Sequence, residues 1–245
     1  MPEPPARPPR RNVVVTEVSR PTPGLVRVLL RGELEDWNAA GPGAHMKVLV
    51  PEDGSDEQAM RTYTVRRFEP DPGALTLEFG LHCDGPATTW ARNAEVGDRL
   101  RISGTAKRGF VPDPSSEWCL FLADHSALPA VAAIIEALPA GISATVIVEL
   151  PSAVDALDLV SQAELDVEWL IASDIPCERL VEAALDLELP AGPGEVWVGC
   201  EANSMRQIRA HMLGELGVSP RALHTRAYWK QNVANHPDHD TGEDD

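Results

Sequence analysis

Six consecutive residues, Arg61-Thr62-Tyr63-Thr64-Val65-Arg66, join two guanidiniums, an aromatic ring and two threonine hydroxyls in one β-rich run. Strand alternation sends Arg61, Tyr63 and Val65 to one side and Thr62, Thr64 and Arg66 to the other. A flavin held on a sheet needs an apolar or aromatic face for its ring and hydroxyl or main-chain groups near N5. It also needs an arginine for its diphosphate. The hexapeptide supplies all three types, and it reads equally as an exposed strand with salt-bridged arginines. Further along stands His82-Cys83-Asp84-Gly85-Pro86-Ala87-Thr88-Thr89-Trp90. Proline suits the first turn of a helix, where its missing N–H has no partner to lose. Free amides and the positive end of the dipole then face whatever precedes the helix. Gly85 would let a phosphate come close, and Thr88 and Thr89 add hydroxyls, which makes an anion site. The plainer alternative is that Gly-Pro starts a helix and Thr88 caps it.

Three other groupings carry chemistry less well. Asp124-His125-Ser126 holds the residue types of a hydrolytic triad, but neighbours on one strand end point apart, and a triad is defined by geometry. His236, Asp238, His239 and Asp240 are metal-ligand types in a polar segment, where the ordering entropy weighs against a structural site. Cys83 lies beside a helix start that lowers thiol pKa values, yet a small buried hydrophobe accounts for it more simply. The sequence therefore assigns no catalytic acid or base and no metal ligand.

The elements that must position these residues fall into two halves. In the first, short β-rich runs at 13–15, 25–30, 46–50, 63–68, 74–79 and 99–103 alternate with Gly/Pro turn clusters. That spacing predicts a small antiparallel β-barrel, interrupted by one short helix over 85–94. In the second, strand-length apolar runs at 119–123, 144–148, 167–172, 196–199 and 223–229 alternate with helical stretches. The helices are expected at 128–138, 177–185 and 203–216, with another near 152–162. The alternation is that of βαβ units around a parallel sheet with helices on both faces. The expected domains are residues 1–112, residues 113–232 and a disordered acidic tail, 233–245, with the linker near 107–116.

Charge divides at the same place. The chain of 245 residues carries a net charge of −17, yet residues 1–112 hold 15 Lys+Arg and 15 Asp+Glu. All the excess lies beyond them, with 6 basic against 23 acidic residues. Such a surface repels nucleic acid and anionic lipid, so neither is an expected partner. No apolar run approaches the ~18–20 residues of a membrane span, and the first residues contain no secretory signal core. The four cysteines lie far apart with no CxxC pair, which argues against zinc and disulfide scaffolds and fits a reducing compartment. The expectation is a cytoplasmic two-domain protein.

A small barrel followed by a nucleotide-type α/β domain is the arrangement of ferredoxin-reductase-like flavoproteins. The hexapeptide, the helix start before Val96-Gly97-Asp98, residues 123–139, residues 199–206 and Ala227-Tyr228-Trp229-Lys230 together resemble the siderophore-interacting proteins. These are FAD-containing ferric-siderophore reductases, and the likeness runs from about Val13 to Lys230. It implies FAD on the barrel, NADPH or NADH as electron donor on the second domain, and iron release by reduction of Fe(III) to Fe(II). By position, Arg61, Tyr63, Thr64, Val65 and Arg66 would hold the flavin, with His82, Gly85, Pro86, Ala87, Thr88 and Thr89 against its diphosphate. Asp124, Ser126 and Ala127 match the nucleotide-side stretch, and Glu201 matches the acidic residue after the fourth strand. Tyr228 and Trp229 match an aromatic pair flanking the flavin. Lys47 and Lys230 match positions suspected of binding an anionic ferric siderophore.

The chain also departs from the family, whose members usually read Gly-Asp-Glu-Thr where Ala123-Asp124-His125-Ser126 stands. That departure leaves two rivals: a carrier that binds FAD or siderophore without turnover, and a general flavin reductase with another acceptor. A ferredoxin-type donor is a further alternative to the nucleotide. Arg206 and Arg209 are the cations best placed for the 2′-phosphate of NADPH, amid carboxylates that oppose a strong site.

Overall fold

The computed structural model describes residues 10–51, 58–81, 85–103, 106, 109–236 and 240–242. The chain divides into two compact units, Met1–Pro21 with Leu25–Phe110, and Thr22–Gly24 with Val111–Asp245.

Strands β1 (Arg10–Thr22), β2 (Leu25–Gly32), β3 (His45–Pro51), β4 (Gln58–Glu69), β5 (Ala74–Gly80) and β6 (Arg99–Ser103) form a closed barrel in the order β1-β2-β5-β4-β3-β6. The pairings β1–β6, β2–β5, β3–β4, β3–β6 and β4–β5 are all antiparallel. Val13, Val28, Val48, Leu77, Phe79 and Ile102 are among the alternate residues that fill its interior. Closure leaves no unpaired strand edge. Helix α1 (Pro86–Arg92) packs on β3, β4 and β5.

Strict alternation fails at one position of the barrel. Val65 pairs with Leu77 and Arg67 with Thr76, so Arg66 is the extra residue of a β-bulge. A bulge inserts one unpaired residue and re-aims the side chains beyond it. Phe68 accordingly packs on the same core as Val65.

The second unit contains β7 (Trp118–Asp124), α2 (Leu128–Glu136), β8 (Ser143–Leu150), β9 (Glu164–Ile171), α3 (Glu178–Leu185), β10 (Gly194–Glu201), α4 (Ala202–Gly214) and β11 (Leu223–Trp229). The five strands pair in parallel, in the order β11-β10-β7-β8-β9. Every residue of the central strand β7 is buried, as expected of a parallel strand covered on both faces. Helices α3 and α4 share one apolar cluster with alternate residues of β7 and β10, while α2 packs on β7 outside it. Strand order reverses between β7 and β10, where ligands of open α/β sheets collect beyond the strand ends.

The helix expected near 152–162 is absent; a single 3₁₀ turn, Ala153–Asp155, stands there. Val154 and Val160 are 64% and 66% exposed, so no surface rewards a helix there with burial. The segment read as a disordered tail is docked at Asp240–Gly242. The Ala227 amide donates to the Asp240 carbonyl at 2.9 Å, and the Thr225 hydroxyl donates to that of Thr241 at 2.5 Å. Among the described residues no helix is long and apolar enough to cross a membrane.

Candidate functional site

In the barrel unit the hexapeptide lies on β4 and the helix start opens α1, and one buried ring brings them together. Phe79 of β5 is fully buried, with the Tyr63 ring centroid 4.2 Å away and that of Trp90 at 5.3 Å. Arg61 lies opposite Val48 of β3, and its one hydrogen bond among the described residues is from Nη1 to the Met60 carbonyl at 3.0 Å. Thr64 is buried opposite His45, which is buried too. Lys47 lies opposite Thr62 and donates from Nζ to its hydroxyl at 2.6 Å. Gly85 caps α1 in an extended conformation, Pro86 is in the first turn, and no side chain caps the helix. A Cβ built at Gly85 would meet nothing within 4 Å, so the backbone there is open to a close approach.

Other expected residues are given to packing or pairing. Val65 and Ala87 lie in the barrel core, and Thr88 is buried, so Val65 and Ala87 offer a ligand their main chain only. The bulged Arg66 sits 3.6 Å from the buried carboxylate of Glu78, which Arg27 also pairs. His82 lies outside the described residues.

In the second unit Asp124, Ser126, Ala127, Glu201 and Trp229 converge on the carboxyl end of the sheet. The Trp229 indole donates to Asp124 Oδ2 at 2.7 Å, and the Ser126 amide donates to Oδ1 at 2.9 Å. The Ala127 amide donates to the Asp124 carbonyl at 3.1 Å. Glu201 stands in register with Trp229, and its Oε2 accepts the amides of Asn203 and Ser204 at 2.6 and 3.1 Å. It thereby caps α4 itself. Tyr228 diverges from Trp229, edge-on to Trp197 of β10 at 6.2 Å. A Cβ at Gly199 would lie 2.5 Å from Trp197 and 2.9 Å from Tyr228, so only glycine admits this pair of rings. Lys230 bridges to Val233 just past the strand.

Sequence reasoning missed a further carboxylate in this place. Glu149, at the end of β8, accepts the amides of Cys177 and Leu180 at 2.8 and 3.0 Å and so closes the N-terminus of α3. Burial holds its carboxyl above the ordinary range, against the pull of those amides. The Cys177 thiol donates to Asp124 at 3.4 Å. The Cys200 thiol beside it and burial both push Cys177 up, and burial pushes up Cys200, so neither is a thiolate. For Glu201 a signal existed: an acidic residue at a helix start is favoured by the positive end of the helix dipole. For Glu149 none did, because α3 begins far along the chain.

A barrel followed by a five-stranded parallel sheet is the architecture of FAD/NAD-binding reductases. The FAD/NAD-binding domain of a nitric oxide dioxygenase from Vibrio cholerae has this fold, with a TM-score of 0.65 at 17% identity over 89% of this chain and 98% of that one. Residues 116–232 match the siderophore-interacting protein family, and residues 53–108 match the siderophore-interacting FAD-binding domain. A siderophore utilization protein from T. fusca superposes with a TM-score of 0.84 at 32% identity, covering 94% of this chain and 96% of that one. The chain belongs to the siderophore-interacting protein family. Ferric vibriobactin reductase ViuB of Vibrio cholerae is 26% identical over 236 residues, 84% of each protein. The mycobactin import ATP-binding/permease protein IrtA of Mycolicibacterium thermoresistibile is 31% identical over 220 residues, 86% of this chain. Those residues are 24% of IrtA, so the chain spans about a quarter of that relative.

Proposed function

We propose that this chain is an FAD-dependent ferric-siderophore reductase of the cytoplasm, drawing electrons from NADH or NADPH and releasing iron as Fe(II). The observation that carries the proposal is the packing of Tyr63 of the hexapeptide and Trp90 of α1 on the one buried ring of Phe79, inside the stretch that matches the FAD-binding family. This donor set fits the cofactor. Arg61 keeps guanidinium N–H groups for a diphosphate, and Gly85, Pro86 and Thr89 form an uncapped, sterically open helix start. Tyr63 offers the ring an aromatic face, Thr64 a main chain and hydroxyl, and His82 a further contact to the diphosphate. When bound, FAD supplies acceptance of an electron pair and release of single electrons. The chain's own part is to bind and orient, and no side chain is assigned a proton.

On the second unit, Asp124 and Glu201 act on the nucleotide side by holding Trp229 and the start of α4. Ser126 and Ala127 line that strand end, and Tyr228 and Trp229 supply aromatic surface for the cofactor. Lys47 and Lys230 attract the anionic ferric siderophore, whose hard oxygen ligands suit Fe(III) better than Fe(II), so reduction loosens the metal.

Purified protein should be yellow, should bleach with NADH or NADPH under anaerobic conditions, and should deliver Fe(II) from a ferric siderophore to a ferrous chelator. Colourless protein that cannot be loaded with FAD overturns the reading. The departure at Ala123–Ser126 favours one rival, a carrier. Yellow protein that binds siderophore and is bleached by neither nucleotide would establish it.

A further inference from the structure

Arg206 and Arg209, the cations best placed for a phosphate on the second unit, already face an anion of the chain itself. Arg206 Nη2 reaches both Asp240 oxygens at 2.8 Å. His236 Nε2 lies 2.8 Å from Oδ2, and the Gly242 amide donates to Oδ1 at 3.1 Å. Arg209 Nε donates to the Gly242 carbonyl at 3.3 Å. The Asp240 side chain is only 12% exposed. Burial alone would raise its carboxyl, but Arg206 and then His236 outweigh it and hold the group below the ordinary range. Two helix starts at this end of the sheet are closed: Glu149 takes the amides of α3 and Glu201 those of α4.

From this arrangement we infer that Asp240 is a built-in occupant of an anion site on α4, a carboxylate standing where a phosphate monoester would bind. A guanidinium, an imidazole and a backbone amide around two oxygens are a donor set that suits a dianion better than a single carboxylate. The tail prevails because it is tethered, which gives it a high effective concentration. The consequence rests on the electron-donor reading above: the phosphate that distinguishes NADPH from NADH gains little here while the tail is docked.

The test is direct binding of adenosine 2′,5′-bisphosphate, inorganic phosphate and adenosine to the full chain by calorimetry, comparing wild type with Asp240→Asn. The variant should bind the bisphosphate at least tenfold more tightly, adenosine should be unchanged, and the gain should vanish in Asp240→Asn with Arg206→Ala. Asp240→Ser serves if the Asn variant misfolds. A gain shared equally by inorganic phosphate assigns the site to the free anion, and a larger gain for the bisphosphate assigns it to a nucleotide. No gain, or one that survives loss of Arg206, overturns the inference. Flavin bleaching by NADH should be the same in wild type and Asp240→Asn. Its absence from both would indict the reductase reading instead.

Discussion

The two units treat anions in opposite ways. In the barrel, charge is balanced, α1 begins without a cap, and Arg61 has given one hydrogen bond to a neighbouring carbonyl. In the sheet unit, Glu149 and Glu201 have taken amides at the starts of α3 and α4 before any ligand arrives, Asp240 has taken Arg206, and α2 begins without a side-chain cap. A free helix start attracts phosphate; a start already bonded to a glutamate repels it. The difference teaches that an α/β sheet of nucleotide-binding type is not by itself a phosphate site. What matters is which groups the chain has left unsatisfied. On the proposed function, the barrel is expected to recognise the cofactor's anionic groups and the sheet unit to contribute aromatic surface.

The largest expected effect comes from removing the ring that joins the barrel's two motifs. Phe79 is fully buried between Tyr63 and Trp90, and Phe→Ala in such a core costs about 3–5 kcal/mol. Phe79→Ala should lower the denaturant midpoint of the barrel and abolish stable FAD binding. Phe79→Leu should keep most of the stability and lose affinity. If Phe79→Leu retains full FAD affinity, the aromatic bridge does not position the site.

Arg61→Ala should come next. Loss of a charge-assisted contact of about 1.5–3 kcal/mol corresponds to roughly ten- to a hundredfold in affinity. Flavin occupancy after dialysis reads it, and full retention would remove Arg61 from the diphosphate.

These two residues also mark what was legible in the sequence. The six barrel strands and five sheet strands were visible as β-rich runs between Gly/Pro turns, because each satisfies its local pattern. Register was not. Alternation holds up to Val65, but the bulge between the Val65–Leu77 and Arg67–Thr76 pairs shifts it beyond Arg66, so that Phe68 packs on the core face of Val65. The partners of buried charges were equally hidden. Glu149 meets an amide 31 residues away and Arg206 a carboxylate 34 residues away, separations at which no local signal survives. Polar composition led the tail to be read as free, although Asp240 meets the partly buried Arg206.

The sheet unit offers a smaller test. Glu201→Ala frees the amides of Asn203 and Ser204, and loss of a helix cap costs about 0.5–2 kcal/mol. Thermal unfolding of that unit should move down while FAD content stays constant. A change in flavin content with unaltered stability would mean that Glu201 serves the ligand directly.

Glu149 adds a dependence on pH. Its folded value is raised, so the folded state takes up a proton more readily than the unfolded chain. Stability from this group is therefore fullest below its ordinary value of 4.5 and declines as pH rises through the raised one. Against Glu149→Gln in urea, wild type should lose ground between pH 4.5 and 7.5. A constant gap would show that the two amides cancel the burial.

The smallest effect separates the units most finely. Exposed charges contribute about 0.2–1 kcal/mol each, or up to severalfold in affinity. Lys47 lies half-buried beside Thr62 in the balanced unit. Lys230 lies in the unit with 6 basic against 23 acidic residues, whose field already repels an anion. Lys47→Gln should therefore raise the apparent KM for an anionic ferric siderophore more than Lys230→Gln does, with a neutral siderophore and the flavin content unaffected in both. Added salt should narrow the difference, since screening acts within ~8–10 Å. If Lys230→Gln has the larger effect, the sheet unit binds the substrate anion despite its charge, and the division of labour between the two units fails.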